Sequence, residues 1–162
     1  MKLQAPVPLA AEHHVNLFSC GESVLDDWLK RRALANQSNG ASRTFVVTDG
    51  EQQVLGYYAL AAGAVTHQDA TRTIRQNMPD PIPVMVLARL AVDTRAQGMK
   101  LGAALLRNAL DRCMGIASNA GVRALLVHAL NERAKEFYEH YGFKASPVNP
   151  LTLMLRIGPV MG

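Results

Sequence analysis

Apolar residues recur along this chain with two different periods, and the switches between them divide it into elements. Positions 24, 25, 28, 29 and 32 (Val24, Leu25, Trp28, Leu29 and Arg32) follow i, i+3, i+4 spacing, which predicts a first helix over residues 22–38 with Gly40 as its stop. Residues 42–48 then read as a strand, Asp49-Gly50 as a turn, and Val54 to Thr66 as a second strand, together a hairpin. Residues 67–82 are polar, broken by Pro79 and Pro81, and read as a connection with a short helical turn around residues 72–77. Val84 to Asp93 is apolar on both parities apart from Arg89, the pattern of a central strand buried on two faces. A long helix is expected from Gln97 to Asn119 with Gly121 as its cap, and then a buried strand from Val122 to Ala129. Asn131 caps a helix ending near Tyr141 with Gly142 as its stop, and Leu151 to Ile157 is the last strand. The order α, hairpin, connection, βαβ, α, β predicts an α/β fold, with a mixed central sheet flanked by helices in one domain spanning residues 1–162.

With 162 residues, 49% of them hydrophobic, the chain can bury one core. No apolar run approaches the ~18 residues of a membrane span. The first residues, Met1 to Pro8, carry one charge and two prolines and do not read as a signal peptide, so the expectation is a cytoplasmic protein without a membrane partner. Cys20 and Cys113 lack redox or metal spacing, and His13, His14, His67, His128 and His140 lack ligand spacing; no metal is expected. The net charge of +4 is unevenly placed. Lys30, Arg31, Arg32 and Arg43 lie in a stretch without an acid, Arg72 and Arg75 sit together, and Asp111 alone opposes Arg95, Lys100, Arg107, Arg112 and Arg123. A polyanionic ligand and a merely solvated basic face both fit this distribution.

The junction after the central strand is the most informative segment. Arg95-Ala-Gln-Gly98 follows the strand, and a helix with Gly98 and Gly102 one turn apart begins. Such an end leaves N–H groups and the positive pole of a helix open to an anion, and suggests a pyrophosphate. Gly98 lets the chain approach closely, and Met99, Lys100, Leu101, Gly102 and Ala103 would offer their N–H groups.

This strand–turn–helix, followed by a strand and by Asn131 opening a helix that ends in Phe137-Tyr138 and Gly142-Phe143, resembles the GNAT acyltransferase superfamily. Its cofactor motif is Gln/Arg-x-x-Gly-x-Gly/Ala, and its later motif is Phe-Tyr-x-x-x-Gly-Phe. Residues 18–21 leading to Leu25-Asp-Asp-Trp-Leu29, then Ser42-Arg-Thr-Phe45, Gly56-Tyr-Tyr58, Pro81-Ile-Pro83 and Leu87-Ala-Arg-Leu-Ala-Val-Asp93 are similar to GNAT-type toxins of bacterial toxin–antitoxin pairs. The chain departs from the cofactor motif at Lys100, which stands where Gly or Ala is usual. The resemblance implies transfer of acetyl from acetyl-CoA to the α-amine of aminoacyl-tRNA, which blocks translation. It also implies a ribbon-helix-helix antitoxin, through which alone operator DNA is met, and a homodimer. It further implies cofactor contacts from Leu90, Ala91, Val92, Arg95, Gln97, Gly98, Met99, Lys100, Leu101, Gly102, Ala103, Asn131 and Arg133. Leu90 to Val92 would pair their backbone with the pantetheine arm as a peptide adds to a sheet edge.

Tyr138, at the family's Phe-Tyr position, is the expected catalytic group: a neutral phenol can protonate a departing thiolate. Tyr141, three residues on, competes for that role. No Glu lies in the central strands, and Asp93 is the one carboxylate at the cofactor turn, so no dedicated general base stands out. An α-amine, with a pKa of roughly 8 against about 10.4 for lysine, needs a base less. Lys30, Arg31, Arg32, Arg72, Arg75 and Arg89 are the candidates for tRNA phosphate contacts. Arg89 draws notice because a charge in an apolar strand needs either a ligand or a buried salt bridge. Two other readings stay open: acetylation of a small amine, whose site should be acidic, and a non-catalytic acetyl-CoA sensor.

Overall fold

A computed structural model describes residues 2–158. In chain order the elements are β1 (Val7–Pro8), α1 (Ser23–Arg31), α2 (Ala33–Ser38), β2 (Arg43–Thr48), β3 (Val54–Val65), α3 (Arg72–Arg75), β4 (Ile82–Val92), a 3-10 turn (Thr94–Ala96), α4 (Leu101–Ala117), β5 (Ala124–His128), α5 (Glu132–His140), β6 (Lys144–Ala145) and β7 (Thr152–Arg156). The strands follow the order β1-β2-β3-β4-β5-β7-β6. β4 and β5 pair in parallel, while β1–β2, β2–β3, β5–β7 and β6–β7 are antiparallel, so the sheet is mixed. The chain divides into two units, one from residues up to Ala61 together with Ala88–Ala109, the other from Ala62–Leu87 and Leu110 onward.

In the first unit the strand pleat sends successive side chains of β3 to opposite faces. Tyr57 packs with Phe18, Leu29, Ala33 and Ala91, and its hydroxyl donates to the Leu25 carbonyl at 2.6 Å. Gly56 and Tyr58 face α4: a Cβ on Gly56 would sit 3.0 Å from Leu101 Cδ2, and the Tyr58 hydroxyl donates to the Asn108 side chain. Each large ring buried this way contributes about 1.5–3 kcal/mol. The second unit is built on Val65, Ile74, Ile82, Val84, Leu126 and Met154. There Arg123 ties the connection down, its Nε donating to Ile74 O at 3.2 Å and its Nη2 to Thr73 O at 3.0 Å.

The hairpin, the connection, the central strand and the last strand stand within two residues of expectation. Three boundaries differ. The first helix breaks at Arg32 (φ −122°) into α1 and α2. α2 is redirected by Gln37, whose amide donates to Leu9 O at 2.7 Å and accepts from Thr44 N at 3.0 Å. Val24, expected on the inward face, is exposed. α4 begins at Leu101 rather than Gln97, because Gly98 (φ +83°) and Lys100 (φ +60°) take left-handed conformations that no α-helix contains. At its other end Asn119 Nδ2 and Ser118 Oγ both donate to Gly115 O, at 3.1 and 2.7 Å. Those side chains terminate the helix; Gly121, the expected cap, has no positive φ. β1 and β6, two residues each, carry no periodicity that a sequence could reveal.

Candidate active site

β4 runs into a turn held by one buried carboxylate. Asp93 accepts from Ser19 N (2.9 Å), Arg95 N (2.8 Å), Arg95 Nε (2.9 Å) and Arg95 Nη2 (3.0 Å). Burial opposes its ionisation, yet the Arg95 guanidinium and the N–H donors hold its carboxyl below the usual range. Thr94 N donates to Ser19 O at 2.8 Å, and Gln97 Nε2 donates to Cys20 O at 3.1 Å and Val92 O at 3.0 Å. The segment entering α1 and the turn entering α4 are thus one hydrogen-bonded piece. Beyond this clasp the backbone opens. A Cβ on Gly98 would have nothing within 4 Å, and the α4 ladder starts with Ala104 N donating to Lys100 O at 3.2 Å. The amides of Leu101, Gly102 and Ala103 precede that bond and belong to the unsatisfied first turn of a 17-residue helix.

Arg89 and Ala91 share one parity of β4, and Ala91 is buried against Phe18 and Tyr57. The Arg89 guanidinium carbon lies 5.2 Å from the centroid of the Trp28 ring, which stacks on Tyr57 (centroids 6.0 Å apart, 12° between planes). Arg89 Nη1 donates to Ala88 O at 2.8 Å, and Nε is buried without a partner. The buried salt bridge weighed for Arg89 does not form; a cation–π contact replaces it. The parallel pairing of β4 with β5 covers Met85–Leu87, and Ala88–Val92 continue past its last pair.

In the second unit Asn131 caps α5 by accepting from Ala134 N at 2.9 Å. The other end explains the Phe-Tyr-x-x-x-Gly-Phe pattern physically. Gly142 (φ +95°) donates to Glu139 O at 3.0 Å, and Phe143 N donates to Tyr138 O at 3.2 Å, the paired bonds of a Schellman cap. The accompanying apolar contact is Phe143 against Tyr138 (5.5 Å), and Phe137 packs on the same ring at 5.1 Å. The motif is therefore a device that fixes one tyrosine. Tyr138 is 6% exposed, burial raises its phenol above the ordinary value, and its hydroxyl has no hydrogen-bond partner among the described residues. It stays neutral, with its proton uncommitted.

The sequence model of the acetyltransferase (GNAT) domain family matches residues 40–145. The chain belongs to the GNAT acetyltransferase family. A "tRNA-acetylating toxin" of Mycobacterium tuberculosis is 52% identical over 93% of this chain and 90% of its own length. A crystal structure of a Tyr-to-Phe mutant of KacT superposes with a TM-score of 0.90 at 26% identity, covering 97% of this chain and 96% of that one. AtaT in complex with acetyl-methionyl-tRNAfMet gives a TM-score of 0.87 at 28% identity, covering 96% and 95%. AtaT is also solved bound to the C-terminus of the antitoxin AtaR (TM-score 0.81, 28% identity, covering 96% and 93%), and AtaTR with acetyl-CoA (0.83, 29%, 96% and 94%).

GNAT acetyltransferases use acetyl-CoA, and the backbone at Gly98 has open space beside it. Within this frame the expected contacts divide. The side chains of Arg95 and Gln97 are committed to Asp93, Cys20 and Val92, so what these residues hold in place is the turn itself. Lys100 and Met99 are exposed, as are Asn131 and Arg133. Tyr141 is 41% exposed, its ring against Phe137 and His140, and it lacks the buried environment that distinguishes Tyr138. Lys30, Arg31 and Arg32 are exposed at the end of α1 and form no ion pair among the described residues. Arg72 is exposed, and Arg75 is half-buried with Nη1 donating to Ala70 O at 3.3 Å; both lie in the second unit. Sequence reasoning missed Trp28 as the platform for Arg89, and Asp93 as the clasp. Asp93 carried a signal, since a carboxylate two residues before an Arg at a tight turn invites this closure. Among the described residues no helix is long and apolar enough to cross a membrane.

Proposed function

We propose that this chain, acting as one domain over its whole length, acetylates the α-amine of aminoacyl-tRNA and so blocks translation. The observation that carries this reading is the 52% identity to a tRNA-acetylating toxin over nearly the entire chain. The AtaT complex with acetyl-methionyl-tRNAfMet supports the product class. Acetyl-CoA supplies the thioester, whose carbonyl carbon the amine attacks and whose sulfur leaves. Amides at Gly98 to Ala103 bind the pyrophosphate, with the Lys100 ammonium beside them and Asn131 and Arg133 as further contacts. The strand segment Leu90–Val92, beyond the last β4–β5 pair, orients the pantetheine arm. Tyr138 gives its hydroxyl proton to the departing sulfur and regains one from solvent. The acceptor amine loses its proton to solvent, because Asp93 is fully engaged and serves as no base. Lys30, Arg31, Arg32, Arg72 and Arg75 supply the phosphate contacts of the tRNA. The protein works in the cytoplasm as a homodimer, restrained by a ribbon-helix-helix antitoxin that carries the pair to operator DNA. The AtaT–AtaR complex and the KacTA–DNA complex support such partners.

The test incubates purified protein with labelled acetyl-CoA and a mixture of charged tRNAs, alongside the same tRNAs uncharged. Label on the amino acid of charged tRNA alone is the expected result. Label on free amines, or acetyl-CoA binding without any transfer, overturns the proposal in favour of a small-amine enzyme or a sensor.

A further inference from the structure

A GNAT active site that takes an amine must receive it neutral, because an ammonium has no lone pair to attack with. The usual device is a carboxylate that accepts the proton. Here the carboxylate at the turn, Asp93, already receives four hydrogen bonds and is held ionised by Arg95. What stands on β4 instead is a cation. Arg89 is half-buried, its charge is balanced by no ion pair among the described residues, its Nε is desolvated without a partner, and its guanidinium carbon lies 5.2 Å from the centroid of the Trp28 ring. Leaving a desolvated donor of this kind unmatched is costly, so its persistence asks for a reason.

The groups packed around it do not cancel the charge. From β3, Tyr57 is a neutral phenol, its ionisation opposed by burial, donating to Leu25 O. From the segment before α1, the Cys20 thiol is pushed up to about 12 by burial and stays protonated. α1 presents two carboxylates: Asp26, occupied by the Cys20 N–H at 2.9 Å, and Asp27, which is exposed. Neither pairs with Arg89. Stacking on the indole fixes where the cation sits without neutralising it, whereas a salt bridge would have done both.

We infer that Arg89, held on Trp28, is a fixed cation beside the acceptor position that keeps the attacking amine in its neutral form. The inference rests on the proposed function, since it places the thioester along Leu90–Val92, adjacent to Arg89 in the same strand. A like charge within several ångströms disfavours the protonated amine, so the amine releases its proton to solvent on binding and attacks with its lone pair. Arg89 then does by repulsion what a general base does by acceptance. The device suits an α-amine already made weakly basic by esterification, for which a modest push suffices. It would not suffice for lysine.

The experiment measures initial rates of acetyl transfer to charged tRNA over a wide pH range at saturating acetyl-CoA. The kcat profile reports the bound amine, and kcat/KM reports the free one. For the unaltered protein the kcat midpoint is expected below that of kcat/KM. In Arg89→Gln the kcat midpoint rises by about one pH unit, giving roughly tenfold slower turnover on the acid limb and near-normal turnover on the alkaline plateau. Arg89→Lys keeps the original midpoint. Equal slowing of Arg89→Gln at every pH, or a shift in Arg89→Lys matching that of Arg89→Gln, overturns the inference. If Arg89→Gln does not fold, the unaltered protein still decides, because coincident midpoints in kcat and kcat/KM overturn it alone. Absence of transfer to any charged tRNA removes the proposed function and this role together. Transfer with coincident midpoints removes only the role of Arg89.

Discussion

Replacing Asp93 by Asn separates charge from shape at the turn that carries the cofactor amides. The side chain is 1% exposed and keeps its volume, so no cavity opens. Its four donors lose their carboxylate. One amide oxygen can still accept from two of them, but the amide nitrogen now faces N–H groups where an oxygen was. Breaking a fully buried ion pair costs about 3–5 kcal/mol. Arg95 is 41% exposed and recovers water, which discounts that figure. A loss of roughly 2–3 kcal/mol in urea unfolding is expected, together with a raised KM for acetyl-CoA, because the turn is then joined to residues 19–20 chiefly through Thr94 N–Ser19 O and Gln97 Nε2–Cys20 O.

The pH dependence sharpens the test. The folded carboxyl lies below its unfolded value, so its stabilisation is complete above about pH 3.9 and disappears as pH falls through the folded value. Protonated Asp93 then resembles Asn, and the two proteins should converge in stability in acid while differing most at neutral pH. Unfolding curves at matched pH would measure this. A difference that stayed constant down to strongly acid pH would refute the clasp, and so would an Asn variant within about 0.5 kcal/mol of the original at neutrality.

Tyr138→Phe keeps the packed ring and removes a hydroxyl that has no partner among the described residues, so stability should change little while kcat falls roughly 100- to 10,000-fold; normal turnover would exclude it as the acid. Gly142→Ala meets no steric neighbour closer than Leu155 Cδ1 at 3.7 Å, so its cost of about 1–2 kcal/mol is backbone strain at φ +95°, and thermal unfolding with a parallel kcat assay should show both the loss and a displaced Tyr138. Lys100→Gly relieves a left-handed residue (φ +60°) and should stabilise by roughly 0.5–1 kcal/mol while weakening acetyl-CoA binding by calorimetry; unchanged affinity would remove the ammonium from the cofactor site.

How much of this was legible in the sequence follows from the range of each signal. The α5 cap was readable because Asn131 and Gly142 act on residues three to five positions away, and the hydrogen bonds fall where those residue types require. The break at Arg32 was not, because Gln37 is turned by partners 28 and 7 residues distant in sequence. The cofactor turn sits between these cases. Gly98 announced an open backbone, and Arg95 and Gln97 read as anion ligands, but their closing of the turn upon Asp93 and Cys20 was not legible. The same residue types serve both purposes, and the closure depends on residues 19 and 20, more than seventy places earlier. Arg89 makes the point most sharply. Its charge in an apolar strand demanded a partner, and the sequence offered acids. The fold supplied an indole instead, from a helix whose Trp28 faces inward while Val24, one turn earlier, does not. A cation matched by an aromatic face rather than by a carboxylate keeps its field, and that difference turns a structural residue into one that can act on an amine.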